Sequence, residues 1–172
     1  MLRKTRVLLA GSVAVLALSL TSTAFTAFTA NAAGDQSGID ACAREAQWAG
    51  FAKDKSGEGR NDDAIYAVAI AMAESGCNRL AVHTNQPTDP DPGTKDLGAW
   101  QINEHWYPEV HGHDAGVVTP ENWQDMGWSA RKAYAIDNDG TGRGWASWAA
   151  WHLGTYQQYL GQAREAVYRV WQ

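Results

Sequence analysis

The 172-residue chain carries 14 Lys and Arg against 19 Asp and Glu, a formal net charge of −5. That balance argues against nucleic acid and anionic membrane surfaces as partners, since both reward a basic face. The two cysteines, Cys42 and Cys77, have no C-x-x-C spacing, which argues against a redox enzyme.

Arg3, Lys4 and Arg6 form a basic region ahead of an apolar run over residues 7–20, short for a membrane span. A small-residue segment follows and ends Ala30-Asn31-Ala32, the A-x-A pattern of a cleavage site. The expectation is an export signal over residues 1–32, cleaved after Ala32; a retained anchor, with residues 21–30 extending the apolar run, is the alternative. Residues 33–172 then form a single domain of about 140 residues, enough for a sizeable core, with a net charge near −8. In an exported protein Cys42 and Cys77 are expected to pair as a disulfide.

Ile39, Cys42, Ala43, Ala46 and Ala49 recur at helical spacing and predict a helix over 39–52, weakened at Gly50. A polar loop, 53–60, leads to a second helix over 64–76, with Asn61-Asp62-Asp63 as capping residues and Gly76 as the stop. Ile65, Val68, Ala69 and Met72 mark its period, and alanine covers its other faces, so it belongs inside the domain. Glu74 is the ionisable residue of its last turn. Burial and the partial negative charge of a helix C-terminus both disfavour the carboxylate, which raises the pKa towards that of a neutral-pH proton donor. A structural Glu reaching solvent or pairing with Arg79 is the alternative.

Residues 79–95 form a loop in which Pro87, Pro90 and Pro92 exclude helix and central strand. Its acids lack the twelfth-position ligand of an EF-hand, so a solvated turn is expected. Residues 96–103 predict a compact turn or short strand pair, and 105–116 a histidine-rich loop. A short helix starts at Thr119-Pro120-Glu121, another spans 129–136 and ends at Asp137-Asn138-Asp139-Gly140, and a last one spans 155–171 with a Thr155/Gln158 capping box. The fold class is therefore mainly α, an α+β domain with at most a small β-hairpin.

Nine tryptophans are many for this length, and Trp100, Trp106, Trp145, Trp148 and Trp151 fall in or beside loops. Indole faces suit the apolar faces of sugar rings. Ligand contact is expected for Trp100 and Trp151, and core filling for Trp48 and Trp171. A zinc site at His105, Glu109, His111, His113 and Asp114 is the competing chemistry, although no H-E-x-x-H helix is present.

Ala73-Glu74-Ser75-Gly76, Gly98-Ala99-Trp100-Gln101-Ile102-Asn103 and Ala150-Trp151-His152-Leu153-Gly154-Thr155-Tyr156 together resemble the motifs of the lytic transglycosylase and goose-type lysozyme superfamily. The resemblance spans residues 62–166; Ala99 replaces a Leu, and Trp151-His152 replaces a Tyr-Asn pair. It implies a lysozyme-like fold acting on peptidoglycan glycan strands at the MurNAc–GlcNAc bond, with Glu74 as the catalytic acid. Ser75, Gly98, Ala99, Trp100, Gln101, Asn103, Trp151 and Tyr156 would bind substrate. If a second carboxylate activates water the enzyme is a lysozyme-type hydrolase, with Asp96 the leading candidate ahead of Asp89, Asp91 and Glu104. If a sugar hydroxyl attacks instead, Glu74 alone suffices. The expected enzyme is a secreted, wall-associated monomer that needs no metal or other cofactor and, after signal cleavage, no membrane. A zinc peptidase and a noncatalytic wall-binding module are the alternatives from other classes.

Overall fold

The computed structural model describes residues 36–51, 62–111, 113–114, 117–118 and 121–171. The expected export signal, the loop 53–60, the capping residue Asn61 and the helix start at Thr119-Pro120 lie outside the described residues. Helix α1 spans Gln36–Ala49 and buries Ile39, Cys42, Ala43 and Ala46, the stripe its spacing predicts. It stops before the predicted end because Gly50 turns the backbone to a φ of 111°, which suits glycine and swings Phe51 into the core.

Helix α2 spans Asp62–Ser75, and Ala64, Ile65 and every residue from 67 to 72 are buried. Gly76 and Cys77 close it with successive left-handed conformations, φ 67° and 61°. Their N–H groups take up the orphan carbonyls of Met72 at 2.9 Å and Ala71 at 3.2 Å.

Three short strands follow: β1 (Val82–Thr84), β2 (Lys95–Leu97) and β3 (Ile102–Asn103), an antiparallel sheet in that order. Strand β1 emerges from the predicted loop 79–95, so the sheet has one strand more than a hairpin. The register aligns Val82, Leu97 and Ile102 in one row and His83, Asp96 and Asn103 in the next. Adjacent rows face opposite sides. Leu97 and Ile102 are buried, so the polar row looks away from the core. The proline loop closes tightly, with Asn85 N–H on Thr94 O at 2.8 Å and Gly93 N–H on Asn85 O at 2.9 Å. Strand β4 (His113–Asp114) lies within the histidine-rich stretch 105–116 predicted as loop and pairs with β5 (Val117–Val118) just after it.

Helix α3 runs Met126–Asp137, starting before the predicted residue 129 because the Asp125 side chain accepts the Trp128 N–H at 2.5 Å. Helix α4 is four residues, Ala149–His152, and α5 spans Leu160–Val170. The single helix predicted over 155–171 divides into a 3-10 segment, Thr155–Tyr159, and α5. The Thr155/Gln158 capping box does not form: left-handed Gly154 (φ 69°) occupies the cap, and the Gln158 amide donates to Thr155 O at 3.1 Å. Helix α2 packs against α1, α4, the 155–159 segment and α5. Among the described residues no helix is long and apolar enough to cross a membrane. The mainly helical α+β architecture agrees with the fold class expected from the sequence.

Candidate active site

Glu74 lies in the last turn of α2 with its side chain largely enclosed, and its pKa is pushed up to about 7. Burial is the main cause, because it penalises the carboxylate, and the negative charge of Asp96 adds to it. The Ala150 N–H opposes them by donating to Glu74 Oε1 at 3.0 Å. Arg79, the alternative partner considered for this acid, instead donates to Gln124 O at 3.0 Å.

Asp96 lies in the centre of the polar row of the sheet. Asn103, directly across the strand pair, donates its Nδ2 to Asp96 Oδ1 at 2.7 Å. Burial raises the Asp96 pKa and nearby Asp91 raises it further, while hydrogen bonds from Asn103 and Asn85 and the His83 ring pull it down. The structure thus brings Asp96 within electrostatic reach of Glu74 and surrounds it with amides.

The turn after β2 is built for close approach. Gly98 has φ 75°, and a Cβ there would come within 2.8 Å of the Trp123 carbonyl oxygen. Its N–H reaches Ala81 O at 2.8 Å, which anchors the turn to the end of the loop after α2. Gln101 holds a left-handed φ of 48°, an uncommon conformation for a side chain of this kind, and its Nε2 donates back to Gly98 O at 2.8 Å. Ser75 is committed to the same junction: its hydroxyl donates to Ala99 O at 2.7 Å and accepts the Asn78 N–H at 3.1 Å. Its role here is to dock the end of the acid-bearing helix onto the turn.

Trp100 requires a correction. Its side chain is completely buried, with Nε1 donating to Ala67 O at 3.0 Å inside α2. No face is left for a sugar; the indole is a structural anchor. Trp148, also buried, donates its Nε1 to Trp100 O at 2.8 Å. Ala99 is fully buried too, so Gln101 and Asn103, both partly exposed, are the residues through which this segment presents side chains.

Trp151 and Tyr156 are brought together. Their rings stack at 4.9 Å, with 10° between the planes, and both remain partly exposed. Tyr66, two turns before Glu74 on α2, meets both rings edge-on at 5.7 and 6.0 Å. Sequence reasoning missed Tyr66, although a lone large aromatic within the alanine run of α2 was the available signal. His152, beside Trp151, is exposed and its Nε2 donates to Ala146 O at 2.6 Å.

Cys42 and Cys77 are both buried and stand side by side, and burial together with the Cys77 sulfur pushes the Cys42 thiol well up. In the histidine-rich segment, His111 contacts Glu104 Oε2 at 2.8 Å and Glu121 Oε1 at 3.5 Å. Among the described residues no three His, Cys, Asp or Glu side chains converge in a metal-binding arrangement.

Residues 43–150, from α1 to α4, match the model of a family described as a lysozyme-like domain. The chain belongs to the lysozyme-like domain family. No curated protein and no solved structure matches it. As a lysozyme-like domain, it falls among glycosidases and transglycosylases that act on peptidoglycan. The matched stretch of this lysozyme-like domain takes in Glu74, Asp96 and the 98–101 turn, and ends at Ala150, whose N–H holds the acid.

Proposed function

We propose that this lysozyme-like domain is an exported lytic transglycosylase that cleaves the MurNAc–GlcNAc bond of peptidoglycan, with Glu74 as general acid. The observation that carries the proposal is the enclosed Glu74 carboxyl with its pKa at about 7, half of it protonated at neutral pH. A carboxyl so poised donates its proton to the glycosidic oxygen as the bond breaks, and positive charge develops at the sugar's anomeric carbon. The resulting carboxylate then removes a proton from a hydroxyl of the same muramyl sugar, whose oxygen closes on the anomeric carbon to give an anhydro ring. The Ala150 N–H stabilises the carboxylate between the two transfers. Gln101 and Asn103 border this site and the Trp151–Tyr156 stack lines it, as the substrate-binding side chains.

A second reading, lysozyme-type hydrolysis, is favoured by one observation: Asp96 is close enough to Glu74 to influence its proton affinity. There Asp96 would activate a water. Export rests on the basic, apolar and small-residue pattern of residues 1–32, and it would place the domain outside the cell against the wall.

The test is mass spectrometry of fragments released from purified peptidoglycan by the mature protein and by its Glu74→Gln variant. Anhydro-muramyl ends, reduced about 10³-fold or more in the variant, are expected. Reducing ends that carry water would assign hydrolysis instead. Release undiminished in the variant would remove Glu74 from the mechanism.

A further inference from the structure

Strand β2, which carries Asp96, is only three residues long, at the short end of the range for strands. Both of its ends are held by side chains and backbone from residues 104–123. At its start the Lys95 N–H donates to Glu104 Oε1 at 2.9 Å, and the Glu104 N–H donates to Lys95 O at 2.9 Å. The Glu104 carboxylate thus adds a rung beyond the paired residues of β2 and β3. Just past its other end, Gly98 lies so close to Trp123 that a Cβ would come within 2.8 Å of the carbonyl oxygen.

His111 joins these two ends. It closes the 3-10 turn Pro108–His111, and its Nε2 donates to Glu104 Oε2 at 2.8 Å. An ionised carboxylate can only accept, which places a proton on that nitrogen. Nδ1 faces Glu121 Oε1 at 3.5 Å, and the other Glu121 oxygen accepts the Trp123 Nε1–H. The path Lys95–Glu104–His111–Glu121–Trp123–Gly98 therefore runs from one end of β2 to the other, with Asp96 between them. Two further bonds brace it. Asn122 Nδ2 donates to Glu109 O at 2.9 Å, and Arg79, just beyond α2, donates to Gln124 O at 3.0 Å. Glu109, the neighbouring charge on the turn, pairs with Lys132. Without the His111 ring, the Glu104 and Glu121 carboxylates would face each other and repel.

We infer that His111 is a positioning residue for the reaction: by clasping Glu104 and Glu121 it fixes both ends of β2 and so sets Asp96 against Glu74. The inference rests on the glycan-cleaving reading, in which Glu74 acts. His111 itself touches no reacting atom. Its influence reaches the acid through Asp96, whose negative charge raises the Glu74 pKa. Opening the clasp lets β2 and Asp96 draw back towards solvent, which lowers that pKa.

The test follows the Glu74 carboxyl by carbon-13 NMR titration of the mature protein in four forms: wild type, His111→Ala, Asp96→Asn and the double variant. His111→Ala should lower the Glu74 midpoint by about 0.5 pH and carry the alkaline limb of fragment release from peptidoglycan with it. In the Asp96→Asn background the same substitution should leave the midpoint in place, because the path ends at the charge that has been removed. Glu121→Gln keeps an acceptor for the Trp123 N–H and should give a smaller shift with the same dependence on Asp96. It provides the answer if His111→Ala does not fold. Equal midpoints in wild type and His111→Ala, even with a lowered unfolding midpoint, overturn the inference. So does a shift of equal size with and without Asp96, the mark of a direct charge effect or a general loosening. Absence of Glu74-dependent fragment release overturns the glycan-cleaving reading instead, a case kept separate because the titrations need no substrate.

Discussion

The N–H of Ala150 sits 3.0 Å from Glu74 Oε1, so the carboxyl in the last turn of α2 is held by the backbone in the first turn of α4. Two segments separated by most of the domain thus meet at one proton-bearing atom. The donor stabilises the charged form, yet burial and Asp96 outweigh it and leave the acid near neutrality.

Activity should therefore fall as pH rises through about 7, because Glu74 must carry its proton to act. Asp96→Asn removes the neighbouring negative charge, so the alkaline limb of the pH–rate profile should move towards acid. A profile that moves while the maximal rate stays within about tenfold supports an electrostatic role for Asp96. A collapse of the rate by about 10³-fold would make Asp96 the base of a hydrolase.

Stability should carry the same signature with the opposite beneficiary. In the unfolded chain Glu74 titrates near 4.5, and in the folded state near 7. Below pH 4.5 both states hold the proton and the site is neutral to stability. Between these values the unfolded chain ionises first, so folding loses up to about 3 kcal/mol as pH rises, and the loss persists above 7. Glu74→Gln has no such ionisation. It should unfold at higher denaturant than wild type at pH 8, and the two should converge at pH 4.

Gly98→Ala should destabilise the domain by about 2–4 kcal/mol, because it combines a left-handed φ with a Cβ pressed onto the Trp123 carbonyl. Gly93→Ala provides the comparison. It shares a positive φ (81°) but meets nothing within 4 Å, and should lose only about 1 kcal/mol. Urea midpoints of the two variants separate the conformational penalty from the collision.

After export Cys42 and Cys77 should be oxidised to a disulfide, since they are already neighbours in the core. Thiol titration in denaturant should find none free in the secreted protein. Reduction should lower stability by about 3–4 kcal/mol for a loop of this length.

Glu74 was legible in the sequence for a physical reason: an ionisable side chain at the end of an alanine-rich helix has few ways to reach water. Residues 96–103 were legible as a turn or short strand pair, which β2, the left-handed Gly98 and β3 make up. Trp100 was misread because a loop position does not reveal which way an indole points, and this one turns inward to Ala67 O. The row of His83, Asp96 and Asn103 depends on strand register. Strand β1 is three exposed residues with no alternation of burial to mark it. Tyr66 meets rings distant in sequence, a contact that spacing alone does not supply.

The two buried indoles have a consequence for how the site behaves. Trp148 reaches the backbone of Trp100, and Trp100 reaches the backbone of α2, so the three segments around Glu74 are fastened by N–H groups on carbonyl oxygens. None of these fasteners gains or loses a proton between acid and alkaline conditions, and none depends on salt in the way an ion pair does. The indole fasteners beside this titrating acid do not themselves titrate. A change of pH therefore acts on Glu74 and its neighbour Asp96, while the indole fasteners between the three segments keep their hydrogen bonds.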